Sequence, residues 1–356
     1  MTNSIQSATA PIEASSSTAT QLAALLGTAA FSPLDNIGWL RVTGSDRVRW
    51  LNGMVTNSIP KLATGQGNYN FVLNAQGQIQ ADLTAFLEPD SILIESASAD
   101  KLATLLDRFI IMDDVQLAPL SLPDDLDNQR VGLQLVGPQA TAILSKLNIQ
   151  IPHHTPTRFQ TVLRHGAPLE IIHAYSVQLP RFEFWSSPAT IRALTDELVA
   201  AGAMPTSPEA LNQLRILVGT PLYGTDIDDR TLPQETTPLG VQSLALSVGK
   251  GCFLGQEIVE RIRTRGSVHR ALSAFLLTGP LPAPGTALEA KSEAESKSEP
   301  VGKLTSVASI QLPDQPEPIQ LALGIVRREP IERNLVLTYS GGTATPVPLP
   351  YLAAKA

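Results

Sequence analysis

Apolar and polar residues alternate most strictly over 79–87, where Ile79, Ala81, Leu83, Ala85 and Leu87 fill every second position. A period of two puts them on one face of a β-strand, with Gln78, Gln80, Asp82 and Thr84 on the other beside Phe86. Phe71-Val72-Leu73 leads into it through Asn74-Ala75-Gln76-Gly77, so 68–87 reads as a hairpin. Asp82 is the one acid on that face; taken alone, a single aspartate there is more often a solvated strand residue. Trp39-Leu40-Arg41-Val42 and Ile92-Leu93-Ile94 are further strands, and Leu102, Leu105, Leu106 and Phe109 recur at helical spacing within 99–111. Val115-Gln116-Leu117 closes this unit, and an acidic, proline-containing stretch, 119–128, follows it.

From Arg130 the pattern restarts with a strand at Val131 to Val136 and a helix from Pro138 through Leu147. Strands follow at 161–164, 169–175 and 182–185, then a helix capped by Ser187, with Pro188 next, running to about Ala201. Two successive units of antiparallel strands and helices predict an α+β fold, not a doubly wound sheet. Pro208 to Leu217 reads as a further helix. Beyond Val268, short strands at 271–277, 304–307, 321–326 and 335–337 with Gly/Pro turns predict a small antiparallel barrel. The Ser/Glu/Lys/Ala-rich stretch 289–300 reads as a solvated loop inserted in it. The expected organisation is a disordered tail over 1–30, within which 21–26 has the pattern of a short helix. A two-lobed domain over 31–266 follows (lobes 31–120 and 130–266), then a barrel over 267–356 with a flexible loop at 285–301.

Composition changes the picture little. A chain of 356 residues, 43% hydrophobic, buries a large core. A formal charge of −7 argues against direct nucleic-acid binding through overall charge. One cysteine makes no internal disulfide, and no apolar run approaches the roughly 20 residues of a membrane helix. The first 17 residues lack the basic residues of a signal peptide or mitochondrial presequence, so a soluble, cytoplasmic protein without membrane contact is expected. Histidines 153, 154, 165, 173 and 269 show no metal-ligand spacing, and no metal site is expected. Lys250 is followed by glycine where a P-loop needs Ser or Thr, which excludes that reading.

The chemistry concentrates in Lys250-Gly-Cys-Phe-Leu-Gly-Gln-Glu257, which holds the single cysteine, Cys252. In an extended segment Lys250 and Cys252 share a face. The run Gln256 to Ile262 reads as a helix, with Ile258 and Ile262 at i, i+4 and Glu257 set to pair with Arg261. An ammonium and a helix N-terminus both favour a thiolate, whereas a lone cysteine in a plain core segment is a small buried hydrophobe. Two glycines, a lysine and a Gln-Glu pair are more than a plain core segment requires. Arg261, Arg263, Arg265, His269 and Arg270 form the most basic stretch, suited to a helix C-terminus or to an anionic ligand.

The run K-G-C-F-L-G-Q-E, with the arginines that follow, resembles the signature of the YgfZ family of folate-binding proteins. These are relatives of the glycine-cleavage T protein, an aminomethyltransferase. The stretch Val48-Arg49-Trp50-Leu51-Asn52-Gly53 with Thr56-Asn57, the loop Gly219 to Ile227, Leu232-Pro233-Gln234-Glu235 and Gly302 to Ser306 are similar to further family segments. The resemblance implies two related α/β lobes enclosing a tetrahydrofolate or one-carbon folate derivative, plus the barrel. It implies a role in assembly or repair of iron–sulfur proteins, whose assembly factors would be partners, and a link to tRNA modification. The segment Gly77 to Leu83 resembles the T-protein segment in which an aspartate faces the reactive nitrogens of the folate, so Asp82 joins Cys252 and Lys250 as a catalytic candidate. Glu235, whose carboxylate matches two adjacent pterin donors or caps and salt-bridges within the fold, is a cofactor candidate. So are Arg215, Tyr223, Gln256, Glu257 and Arg261, the last for the folate's glutamate tail. Leu211 stands where the T protein's helix carries an arginine, a departure that bears on how the ligand is gripped. The alternative is a true aminomethyltransferase, and the residues leave open whether a one-carbon unit is transferred.

Overall fold

The computed structural model describes residues 16–120, 130–151, 157–236, 244–291 and 298–351. The chain forms two compact units. The first comprises Met1–Trp50, Ile59–Asn68 and Leu83–Leu211; the second comprises Leu51–Ser58, Tyr69–Asp82 and Asn212–Ala356.

In the first unit, a six-stranded sheet runs in the order Met204–Pro205, Ala30–Pro33, Val131–Val136, Arg181–Ser186, Ala167–Ala174, Arg158–Arg164. Helices Ala140–Lys146 and Pro188–Ala200 cover one face, with Ile191, Leu194 and Leu198 packing on Phe31, Leu133, Leu135, Phe182 and Phe184. Ser187 accepts the Thr190 N–H at 3.4 Å, which satisfies one of the orphan donors at that helix start. The other face contributes Ile172, Ala174 and Trp185 to a second cluster with Trp39, Phe86 and Leu93. Those three lie on antiparallel strands of this unit: residues 84–87 pair with Ile92–Ser96, and Gly38–Thr43 lies between Ile92–Ser96 and Gln116–Pro119.

The expected tail is folded from residue 18 onward. Thr18–Gly27 is a helix capped by Ser17, Leu22 and Leu25 are fully buried, and Ala30–Pro33 is an inner strand. The short helix read at 21–26 is thus present and longer, and its buried leucines tie it to the fold rather than to a tail. Residues 1–15 of that tail lie outside the described residues.

Between the apolar faces of the first unit lie two buried acids, Glu95 and Glu183. Glu183 pairs with Arg181 at 2.5 Å and accepts from the Trp185 indole at 3.3 Å. Arg130 lies between Trp39 and Trp185, at 4.1 and 4.6 Å from their ring centroids, and pairs with Glu170. Burial, and then the charge of Glu183, holds the Glu95 carboxyl well above its ordinary 4.5. The folded protein therefore keeps a proton that the unfolded chain has released above about pH 4.5, and this group's contribution weakens as pH rises. Glu95→Gln, neutral at every pH, should raise the melting temperature at pH 8, with the difference shrinking as pH falls toward 4.5. An identical shift at both pH values would show that Glu95 does not titrate differently on folding.

In the second unit, six antiparallel strands close a barrel in the order Arg270–Thr278, Gly342–Val347, Val336–Tyr339, Ala287–Lys291, Ser298–Lys303, Ile319–Arg327 and back to the first. Ser306–Ile310 adds to Ile319–Arg327 outside the ring. Part of the expected flexible loop, 285–301, is thus barrel wall. Leu288 and Ala290 are buried while Glu289 and Lys291 are exposed, so a period of two runs beneath the hydrophilic composition. Residues 292–297 of that loop lie outside the described residues.

The same unit holds a buried polar knot on the loop after helix Pro208–Val218. The Asp226 carboxylate is fully buried and pairs with Arg215 at 2.8 Å. It also accepts the Leu222 N–H at 3.0 Å and the Thr305 and Ser306 hydroxyls at 2.6 Å each.

Candidate functional site

The hairpin of the second unit carries Asp82. Asn74 shapes its turn: the side-chain oxygen accepts the Gln76 and Gln78 N–H groups at 3.0 and 2.9 Å. The Tyr69 hydroxyl donates to Asp82 at 2.8 Å. Burial pushes the Asp82 carboxyl upward, opposed by the hydrogen bond from Tyr69, while the phenol itself is pushed well above 10 by burial and by the acid beside it. Asp82 is thus a carboxylate poised to accept a hydrogen bond or a proton, rather than a solvated surface charge.

Against this turn sits the motif around Cys252. Gly255 has φ +81°, and a Cβ there would lie 2.5 Å from the Asn74 carbonyl oxygen. Gly77, at φ +74°, would bring a Cβ to 2.8 Å from that of Ile258. These two glycines let the turn and the start of helix Gln256–Arg265 touch backbone to backbone. Gly251 needs no such allowance, because a Cβ there meets nothing within 4 Å. On the other side of the cysteine, Gly249 is also left-handed, at φ +77°.

Cys252 is exposed and Lys250 is 7% exposed, so the two do not share a face as an extended segment would require. The Lys250 ammonium turns inward and donates to the carbonyls of Asn52, Val55 and Asn57 at 2.7, 2.5 and 2.8 Å, with the Phe253 ring 5.0 Å away. Burial pulls its pKa down, while three carbonyl acceptors act in the opposite sense by favouring the charged form. Thr56 and Asn57 complete the contact: Thr56 donates to the Ala245 carbonyl and Asn57 to that of Leu244, both at 2.6 Å.

The remaining candidates are held within the unit. Both Glu235 oxygens meet Arg270, at 2.9 and 3.1 Å, and one also accepts the Leu232 N–H, so the salt-bridging alternative describes this carboxylate. Arg215 belongs to the Asp226 knot and donates to the Ser306 hydroxyl at 2.7 Å. The Tyr223 ring packs beside Phe71, Leu73 and Ile79, and its hydroxyl donates to the Gln80 carbonyl at 2.5 Å, with the Asp229 carboxylate also in reach. Gln256 folds back to accept the Phe253 N–H at 3.3 Å, capping its own turn. Glu257 and Arg261 are both exposed; the ion pair formed within this helix joins Glu260 and Arg263 instead, at 2.7 Å. Among the described residues, no group of three His, Cys, Asp or Glu is arranged to hold a metal, and no helix is long and apolar enough to cross a membrane.

Hydrophobic periodicity does not single out Glu95 and Glu183. For Glu183 a signal was available: Arg181-Phe-Glu-Phe-Trp185 sets an acid inside an otherwise apolar strand, where a charge needs partners.

Residues 13–241 match the GCVT N-terminal domain family. Over 264 residues the chain is 30% identical to proteins named tRNA-modifying protein YgfZ from Escherichia coli, Escherichia fergusonii and Shigella boydii, covering 72% of this chain and 75% of each relative. Among solved structures it is similar to the glycine cleavage system aminomethyltransferase T from Bartonella henselae, with a TM-score of 0.74 over 94% of this chain and 89% of that one. At 19% identity that likeness concerns the fold, and it is the α+β, barrel-bearing architecture expected from the sequence.

Proposed function

Because the chain belongs to the YgfZ family and carries its GCVT N-terminal domain, we propose that it binds tetrahydrofolate, or a one-carbon derivative, and supports assembly or repair of iron–sulfur proteins. The tRNA modification named for its relatives would then be reached through iron–sulfur enzymes that modify tRNA, with no direct nucleic-acid contact by this chain. The observation that carries this reading is the seam between the Asp82 hairpin and the Cys252 motif. Gly255 on Asn74 and Gly77 against Ile258 bring the hairpin of a raised-pKa acid and the motif of an exposed thiol into close contact. Asp82 would accept a hydrogen bond from the folate, and Cys252 would meet the client or its iron. Arg261, exposed on the same helix, is suited to the carboxylates of a glutamate tail. Glu235, Arg215 and Tyr223 support the site by holding its walls.

Titration calorimetry with tetrahydrofolate tests this directly. A carboxylate hydrogen bond to a ligand is worth about 1.5–3 kcal/mol, so Asp82→Ala should weaken binding roughly tenfold or more, with Cys252→Ser close to the parent. Equal affinity of Asp82→Ala and parent would remove Asp82 from the site. The fold it shares with an aminomethyltransferase favours a second reading, in which a one-carbon unit is transferred. Turnover with tetrahydrofolate and H protein whose lipoyl arm carries an aminomethyl group, releasing ammonia and leaving the carbon as a methylene on the folate, would establish that reading, and binding without turnover the first.

A further inference from the structure

We infer that Lys250 is a positioning residue: its ammonium is a three-point pin that fixes the Cys252 loop on the 52–57 turn, not a cation that activates the thiol. The inference rests on the proposed role of Cys252 for its importance, though not for its geometry. An ammonium has three donors, and here each has a backbone carbonyl, those of Asn52, Val55 and Asn57. Asn52 lies in the last turn of helix Arg47–Met54 and Val55 follows directly, where carbonyls have no partner within the helix and the dipole is negative. Lys250 therefore meets a need of the turn as well as of its own loop.

Thr56 and Asn57 hold the segment further back, at Ala245 and Leu244, but from 248 to 252 no other side chain turns inward. Val248, Gly249, Gly251 and Cys252 are all exposed, and neither Gly249 nor Gly251 has an atom within 4 Å of where a Cβ would stand. Between residues 248 and 252, Lys250 alone enters the interior. On either side the backbone runs along the same turn, with Ser247 N–H to the Thr56 carbonyl at 3.2 Å and Leu254 N–H to that of Gly53 at 3.1 Å. The pin sits midway between these two bonds, two residues from the sulfur. An arginine keeps the charge, but its donors lie in one plane and do not converge on three carbonyls around a point.

Hydrogen exchange of the full chain, read on peptides covering 51–57 and 244–254 with the barrel strand Ile319–Arg327 as internal reference, separates the two roles. Both Lys250→Met and Lys250→Arg should exchange at least tenfold faster in those two segments, with the barrel unchanged. The pH midpoint for alkylation of Cys252 by iodoacetamide should stay at the parent value in both. If Lys250→Met fails to fold, Lys250→Arg alone decides, since it keeps both stem and charge. Parent-like protection in Lys250→Arg would overturn the pin, because charge alone would then suffice. So would a Lys250→Met protein that keeps its protection but shows a raised alkylation midpoint. No folate or client enters these measurements, so their failure and that of the proposed function are told apart.

Discussion

Cells lacking this protein should lose iron–sulfur enzyme activity under oxidative conditions while keeping glycine cleavage, and Cys252→Ser should not restore it. The variant should still bind tetrahydrofolate. Serine keeps the size of the side chain, but its hydroxyl is a far weaker nucleophile and metal ligand than a thiolate. Cys252 is exposed, so the exchange disturbs no packing, and a loss of rescue reports the sulfur itself. An aminomethyltransferase would depend on the folate and an acid, and would tolerate this substitution. Complete rescue by Cys252→Ser, or loss of glycine cleavage in the deletion strain, would move the assignment to the transferase.

The largest effect on stability should come from Asp226→Ala. Its carboxylate is fully buried and gathers Arg215, the Leu222 N–H and two hydroxyls. Deleting it leaves a largely buried guanidinium without its counter-ion and takes the acceptor from the Leu222 N–H and the Ser306 hydroxyl, while the Thr305 hydroxyl keeps the Leu323 carbonyl at 3.1 Å. Breaking a buried pair from one side costs about 3–5 kcal/mol, a large share of the total stability of an ordinary domain. Urea unfolding should show the midpoint falling accordingly. Removing both charges with Arg215→Met and Asp226→Leu together should recover part of the loss, because no lone charge remains buried. An unchanged midpoint in Asp226→Ala would mean that the knot is solvated, and would return Arg215 to the folate candidates.

The sequence by itself determined the elements whose periodicity is strong and whose two faces differ. The alternation at 79–87 yields the strand Ile79–Leu87, the capped and proline-led run after Ser187 yields the helix Pro188–Ala200, and the motif at 250–257 names the family. In these places local propensity and burial point the same way. It was misleading at 287–291, where composition masked the period of a barrel strand among Ser, Glu and Lys, and at 18–27, where a helix was assigned to a disordered tail.

What only the tertiary structure decided is where each polar group finds its partner. Lys250 and Cys252 stand two apart in the chain, yet one points into three carbonyls almost 200 positions earlier and the other into solvent. Glu235 and Arg215 looked available for a ligand, and both close on partners, Arg270 at 35 positions and Asp226 at 11. Glu95 and Glu183, 88 positions apart by number, share one buried space between two sheets. The reason is physical. Burying a charge costs several kcal/mol unless it is paired, so the fold selects among distant partners by geometry. A one-dimensional pattern records which residues leave water, but not which of them meet.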